Sequence, residues 1–273
     1  MSSMLNLFRV EVERALRRRA VWGLIALFLA FAVASGTISY VDSMNTPLAE
    51  LQDGYPHGAV MTDWWIAGTE SGILMTAAAI MMVGALLGGA TVAGAEWRAG
   101  TITTVLTWEP RRRRLQAART AAAVVLAVPI ALALLVVFLA LLLPAALVNG
   151  TTAGTDSTWW WSVAGAVTRI SLMAGLAAML GISLATLGRN TTFAPALIAG
   201  WMLAGENLIR GLWPSQQHHL IGENLTAFVT WAPVPTTEAA HSAATAAALL
   251  TLYTVVGVIA ATVVFARRDI AKG

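Results

Sequence analysis

The chain has 273 residues, of which 58% are hydrophobic and only 11% are charged, and its formal net charge is +3. Soluble domains carry roughly 25% charged residues, so this composition predicts a membrane protein. The absence of Cys excludes disulfides, thiolate metal sites and a Cys nucleophile. The single Lys is Lys272, which excludes the Gly-x-x-x-x-Gly-Lys-Ser/Thr loop of nucleotide-binding proteins. If the function needs ATP, another polypeptide must hydrolyse it.

The N-terminal segment is basic and amphipathic. Arg and Glu cover most of its surface, and an interfacial helix over residues 1–19 is therefore predicted, lying at the membrane surface before the chain enters the bilayer. The alternative is a basic leader that only fixes the topology. The apolar stripe of this helix, counted at 100° per residue, consists of Leu5, Phe8, Val12, Ala15 and Leu16.

Long apolar windows follow along the chain. A helix crosses the hydrocarbon core of a bilayer in about 20 residues, and six windows reach that length. We predict a single all-α transmembrane domain over residues 1–273. Its six spans are expected at about 20–39, 71–95, 118–148, 162–187, 191–213 and 242–266.

The basic residues are sorted to one side of these windows. Fifteen of the seventeen lie before the first window, around the loop between the second and third (Arg119 opens the third window), between the fourth and fifth, or after the sixth. The other three loops, at about 40–70, 149–161 and 214–241, contain eight acidic residues and no basic residue. Because loops rich in Lys and Arg stay on the cytoplasmic side, both termini are predicted to be cytoplasmic, in a multi-pass protein of the cell membrane.

The second window carries closely spaced glycines. Gly84 and Gly88 have the small-xxx-small spacing, and Gly89 follows. Such spacing lets helix backbones approach each other closely. Close helix packing is the first interpretation, and the lining of a transport path is the alternative.

The loop at 96–117, between the second and third windows, is longer than a simple turn requires. Ile102, Val105 and Leu106 would share one face of a short helix, which Pro110 ends. A loop that only keeps positive charge inside would explain the arginines, but not the length of the loop. We therefore predict a stiff helix whose apolar side chains dock into a groove on a soluble partner.

Charged residues also occur inside two windows, with Arg169 in the fourth and Glu206 and Arg210 in the fifth. A charge in the bilayer is costly, so such residues are usually paired or face a cavity. Glu206 and Arg210 have the favourable i, i+4 order. Arg169 and Glu206 each lie seven residues from the outer end of adjacent windows, so they are predicted to pair. The cluster is either a structural salt bridge or the polar lining of a vestibule or gate.

The stretch 94–119 resembles the permease subunits of ABC-2 type transporters. The resemblance is carried by Gly94-Ala-Glu96-Trp97-Arg98-Ala-Gly100-Thr101, then Leu106-Thr-x-x-Pro110-x-Arg, then Arg119. The helix here is rich in Thr where the family is rich in Leu, and Arg119 stands where Lys is common. The resemblance implies a type V exporter-like permease fold and a coupling helix received by an ATPase. It places eight residues at that interface: Glu96, Trp97, Arg98, Gly100, Thr101, Ile102, Val105 and Leu106.

The resemblance further implies a permease subunit of an ATP-driven exporter. Two permease subunits, identical or homologous, would form the path in the lipid bilayer, and two copies of an ABC ATPase would drive it. ATP and Mg²⁺ would bind to the ATPase, with no cofactor and no nucleic acid on this chain. Related permeases also fold the end of the fifth span into short re-entrant helices, which would put residues 210–231 at the outer surface.

Three alternatives stay open from the residues themselves. The chain could be an ATP-independent transporter or channel, although no internal repeat is visible. It could be a sensor or an immunity protein on the same scaffold. A membrane enzyme is disfavoured because no carboxylate pair, Ser/His arrangement or metal-ligand spacing lies near an interface. The sequence predicts no particular substrate.

Overall fold

The computed structural model describes residues 4–52, 57–232 and 242–268, and this part of the chain is all-α. Within these described residues, β-type pairing is limited to one isolated bridge between Val60 and Thr151. A π-helical turn covers Trp201–Gly205, and short 3-10 turns cover Met61–Trp64 and Pro214–His219. The helices are α1 Met4–Leu16, α2 Arg19–Asn45, α3 Leu48–Gln52, α4 Ile73–Arg98, α5 Ile102–Trp108, α6 Arg112–Val148, α7 Ser157–Gly188, α8 Phe193–Gly200, α9 Glu206–Leu212, α10 Ile221–Thr230 and α11 Ala243–Arg267.

Five of the described helices, α2, α4, α6, α7 and α11, are long and apolar enough to cross a membrane. The shortest of them has 25 residues, which at 1.5 Å per residue spans about 38 Å and exceeds the roughly 30 Å hydrocarbon core. Five of the six predicted windows are thus confirmed as apolar helices of membrane-spanning length. The chain is consistent with a multi-pass membrane protein.

The predicted fifth window, 191–213, differs from the other five. It forms α8, the π-helical turn and α9 in succession, and neither α helix reaches the length of a span. The π turn ends at Gly205, where a Cβ would lie 2.7 Å from the Trp201 ring, so a residue with a side chain could not keep this packing. The described chain therefore has five candidate spans, and the sixth crossing remains a prediction.

The central helix of the bundle is α7, which packs against α4, α6 and α11. The most apolar stretch of α7 is 67% buried, against 17% for α2. Glycines allow the closest contact, between α4 and α7. A Cβ on Gly89 would lie 2.1 Å from the Ala178 carbonyl oxygen, and a Cβ on Gly181 would lie 2.1 Å from the Leu86 carbonyl oxygen.

This packing corrects the prediction for the glycine pair. A Cβ on Gly84 would meet nothing within 4 Å, and one on Gly88 would meet only a Leu24 methyl at 3.8 Å. The spacing Gly84-x-x-x-Gly88 therefore makes no close helix contact within this chain. Both residues instead line an apolar groove beside α2, while Gly89 provides the helix contact.

Contacts between the loops show which of them lie at the same end of the bundle. At one end, the Arg18 guanidinium donates to the carbonyls of Thr91 and Val92 at 2.7 and 2.9 Å, and Arg268 donates to the Thr186 carbonyl at 3.2 Å. We call this the basic end. At the other, the acidic end, Trp159 Nε1 donates to the Trp65 carbonyl at 3.0 Å. The basic loops thus lie together, in agreement with the sorting of charge in the sequence.

Helix α1 confirms a helix before the first span, and the face that it packs on the bundle is largely different from the predicted apolar stripe. The buried residues are Leu7, Glu11 and Ala15. Leu5, at the start of the predicted apolar stripe, is 73% exposed. Glu11 faces the bundle, where Arg119 of α6 pairs with it, and this orientation leaves most of the apolar stripe on the outside, where lipid would cover it.

Candidate functional site

The predicted loop helix is present as α5, Ile102–Trp108, at the basic end. It is placed by a reversal of the chain after α4, in which Gly100 has φ +68°. Glycine adopts this left-handed conformation without the steric cost that a side chain brings. After α5, Pro110 prevents continuation of the helix, and α6 begins at Arg112.

The inner face of α5 holds the helix on the bundle. Ile102 and Val105 are buried in an apolar cluster with Leu7, Leu115 and Phe265, and Leu106 packs against it. A helix of seven residues is unstable alone in water, so it needs this packing. The burial of Ile102 and Val105 disagrees with the prediction that they are apolar knobs for a partner, because they anchor α5 to its own chain. Leu106 is only half-buried, so its docking role stays a prediction.

The outer face of α5 is polar except for one large aromatic ring. Trp108 is 85% exposed. We define the α5 outer face as Thr101, Thr103, Thr104, Thr107 and Trp108, all of them exposed. Trp108 was not predicted as a docking residue, although its position outside the face formed by Ile102 and Val105 could have indicated that its side chain is exposed. Large exposed aromatic rings are unusual in a polar surface and are enriched at protein interfaces.

Residues before α5 divide between the surface and the interior. Arg98, Gly100 and Thr101 are exposed, as a docking role requires. Trp97 is half-buried, with its ring 6.1 Å from the Phe265 ring and 5.4 Å from the Arg189 guanidinium carbon. Trp97 therefore connects the end of α4 to α11 and to the residue that follows α7.

Glu96 lies in the interior, which corrects its predicted docking role. It is 5% exposed, and one of its carboxylate oxygens accepts a hydrogen bond from Arg119, which is 1% exposed. The other oxygen lies 3.4 Å from Arg14 Nη1 and 3.6 Å from Arg18 Nη2. Glu11, 2% exposed, lies 3.0 Å from Arg14 Nη1 and 3.5 Å from Arg119 Nε.

These five residues, Glu11, Arg14, Arg18, Glu96 and Arg119, form what we call the basic-end cluster. Three arginines and two glutamates give it a net charge of +1. Burial lowers the pKa of the Arg18 guanidinium from its ordinary value, and the Glu96 carboxylate opposes that shift. The cluster joins α1, the start of α2, the end of α4 and the start of α6 by charge-assisted contacts. Movement at this end of α4 would therefore also displace the three other segments.

The second predicted site forms only in part. Glu206 is 1% exposed and lies 3.3 Å from Arg210 Nη2, which confirms the i, i+4 pair. The backbone N–H of Gly222 donates to the other Glu206 oxygen at 3.0 Å. Arg210 also lies 3.0 Å from Glu223, a partner that was not predicted. We call Glu206, Arg210 and Glu223 the acidic-end cluster.

Arg169 does not pair with Glu206. Its Nε donates to the Val229 carbonyl at 3.0 Å, and its guanidinium carbon lies 5.5 Å from the Trp231 ring. The reason is the helix α10, whose start satisfies Glu206 and whose end offers carbonyl groups to Arg169. Cations are stabilised at the C-terminus of a helix by its carbonyls and its dipole. The predicted intramembrane cluster is thus two separate sites.

In the described ranges, no group of three or more His, Asp or Glu residues could hold a metal ion. No protein-family model and no curated protein matches this sequence.

Proposed function

We propose that this chain is the permease subunit of an ATP-driven ABC exporter of the ABC-2 type, with its basic end in the cytoplasm. The proposal rests on the resemblance at 94–119 and on the presence of a short helix, α5, at the end that gathers the basic loops. In this assignment the helical run 193–212 is the sixth crossing, and both termini are cytoplasmic. The fold is then the type V exporter-like permease fold.

The observation that carries the proposal is the orientation of α5. Its inner face is fixed to the chain by Ile102 and Val105, whereas its outer face is left open around Trp108. Exposed Arg98, Arg111 and Arg113 flank this face. Such a surface suits a cleft with an aromatic-accepting pocket and acidic residues at its rim. We assign that cleft to a cytoplasmic ATPase, present in two copies beside two permease subunits, identical or homologous.

Coupling would run from the ATPase through α5 into the bundle. ATP and Mg²⁺ are assigned to the ATPase, whose closure on ATP would displace α5. Because α5 packs on Phe265 and Leu115, its displacement would reach the end of α11 and the start of α6. The basic-end cluster would extend the same displacement to α1 and α4. A ligand-driven movement of this kind shifts the populations of two states of the path, and no chemistry is done by this chain.

An affinity purification of the full chain from its native cell, read by mass spectrometry, tests the proposal. We expect a P-loop ATPase to co-purify. Trp108→Ala should weaken the association by about 30-fold or more, because buried tryptophans are frequent interface hot spots. The substitution should leave folding intact, since Trp108 is 85% exposed.

The matched control is Trp161→Ala, because Trp161 is 79% exposed in α7 near the acidic end. It should retain the ATPase at the level of the unmodified chain. Recovery of no P-loop ATPase with the unmodified chain would contradict the proposal. That result would favour an ATP-independent transporter or channel, or a sensor or immunity protein on the same scaffold.

A further inference from the structure

An apolar groove runs along α4 on the side that faces α2. Its volume is about 380 Å³, within the 300–1,000 Å³ of typical small-ligand sites. Apolar side chains and glycines from α1, α2, α4, α6 and α7 form the whole lining. The groove is open because Gly84 and Gly88 bring no side chain into it. This apolar lining suits a hydrocarbon chain.

The groove begins at the basic end and extends toward the bilayer centre. On α4 it reaches from Val92 back to Ala79, a distance of about 20 Å at 1.5 Å per residue. One leaflet of the hydrocarbon core is about 15 Å thick, half of roughly 30 Å. The length of the groove therefore matches one acyl chain lying in the leaflet on the basic side.

Positive charge surrounds the end of the groove at Val92. Ala15 and Val21 line the groove, and the short connection between them contains three consecutive arginines, Arg17, Arg18 and Arg19. Arg18 holds this connection against α4 through the Thr91 and Val92 carbonyls. Residues 9–19 contain five arginines and two glutamates, a net charge of +3.

One of these arginines is available for a ligand. Arg19 is exposed and forms no ion pair within residues 4–52, 57–232 and 242–268. Arg17 is largely exposed as well and holds only Glu13, at 2.5 Å. Trp22 lies beside them, 57% exposed, as expected for an aromatic residue at the level of lipid headgroups. Basic pockets beside transmembrane helices bind anionic headgroups.

We propose that this groove binds one phospholipid with an anionic headgroup. One acyl chain lies between α2 and α4 along Gly84 and Gly88, and the phosphate lies at Arg19 and the exposed part of Arg18. The site holds the connection between α1 and α2 next to the basic-end cluster. This lipid site does not depend on the proposed exporter function.

The test uses the full chain reconstituted in vesicles of equal parts phosphatidylglycerol and phosphatidylcholine, then extracted in mild detergent. Native mass spectrometry counts the phospholipids that each chain retains. We expect one retained phospholipid per chain, with phosphatidylglycerol favoured about fivefold through one headgroup arginine. Arg19→Gln should bring the two lipids close to parity, whereas Arg113→Gln, an exposed arginine in the first turn of α6, should leave the preference unchanged.

A second pair of variants tests the groove itself. Gly84→Leu combined with Gly88→Leu fills it without meeting the backbone, and retention of phospholipid should fall at least tenfold. The control is Gly200→Leu, since a Cβ there also meets nothing within 4 Å and Gly200 is outside the groove. Equal retention in the filled variant, or no preference for phosphatidylglycerol in the unmodified chain, would overturn the proposal. Loss of a chain–chain complex with unchanged lipid retention would overturn it in favour of a second copy in the groove.

Discussion

The two charge clusters of this chain lie at opposite ends of the bundle and are built differently. The basic-end cluster brings together residues from four segments, and Glu11, Glu96 and Arg119 in it are at most 5% exposed. The acidic-end cluster is made by α9 and the start of α10, and the Arg210 side chain in it is 35% exposed. The first therefore depends on the tertiary fold, whereas the second depends mainly on local sequence.

This difference predicts different costs for losing one carboxylate. In the basic-end cluster, a lost carboxylate leaves buried guanidinium groups with too little negative charge. In the acidic-end cluster, Arg210 keeps Glu223 at 3.0 Å after Glu206 is neutralised. Matched Glu→Gln substitutions, which keep the size of the side chain, test whether the two clusters differ in this cost.

The largest effect is expected from Glu96→Gln. The change raises the net charge of the basic-end cluster from +1 to +2 and leaves Arg119 with Glu11 as its remaining acidic partner. Removing one partner of a buried ion pair costs about 3–5 kcal/mol. We expect a loss of that size in the free energy of unfolding, measured by denaturant titration of the full chain in mixed micelles.

A double substitution and an exposed pair control this experiment. Glu96→Gln combined with Arg119→Gln restores the cluster charge to +1 and should recover about half of the loss or more, since neighbouring residues are not additive. Glu13→Gln breaks an exposed pair with Arg17 and should cost less than about 1 kcal/mol. A Glu96→Gln variant as stable as Glu13→Gln would show that the basic-end cluster carries no stabilising charge pairing.

A smaller effect is expected from Glu206→Gln. The amide oxygen of Gln can still accept from the Gly222 N–H, and only the charged contact with Arg210 is lost. A hydrogen bond to a charged group contributes about 1.5–3 kcal/mol, which is the expected loss in the same denaturant titration. A loss equal to that of Glu96→Gln would contradict the difference between the two clusters. The double variant with Arg210→Gln should be no more stable than Glu206→Gln, because Glu223 then loses its partner.

Features that depend on hydropathy and local spacing could be predicted from the sequence. Five apolar windows appear as long helices, the loop helix forms after Gly100, and Glu206 pairs with Arg210. Each follows from a rule that acts over a few residues or over one helix. The fifth window, 191–213, could not be predicted in the same way, because a π-helical turn at Trp201–Gly205 divides it, and hydropathy does not report such a turn.

Features that depend on long-range packing could not be predicted. Glu96 and Arg119 are 23 positions apart, and the position of Glu11 depends on the packing of α1 against α6. The apolar face of α5 was predicted correctly, but periodicity alone does not say whether such a face meets its own chain or a partner. Ile102 and Val105 meet their own chain, which leaves Trp108 and the threonines outside.

The central claim is that the α5 outer face contacts an ATPase, and photo-crosslinking tests it most directly. A photoreactive amino acid would replace Thr104, exposed on α5, or Thr158, exposed at the other end of the bundle in α7. We predict an adduct with a P-loop ATPase from position 104, identified by mass spectrometry of the linked peptides, and none from position 158. Absence of an ATPase adduct at position 104, or equal adducts at both positions, would contradict the assignment of α5 as the coupling helix.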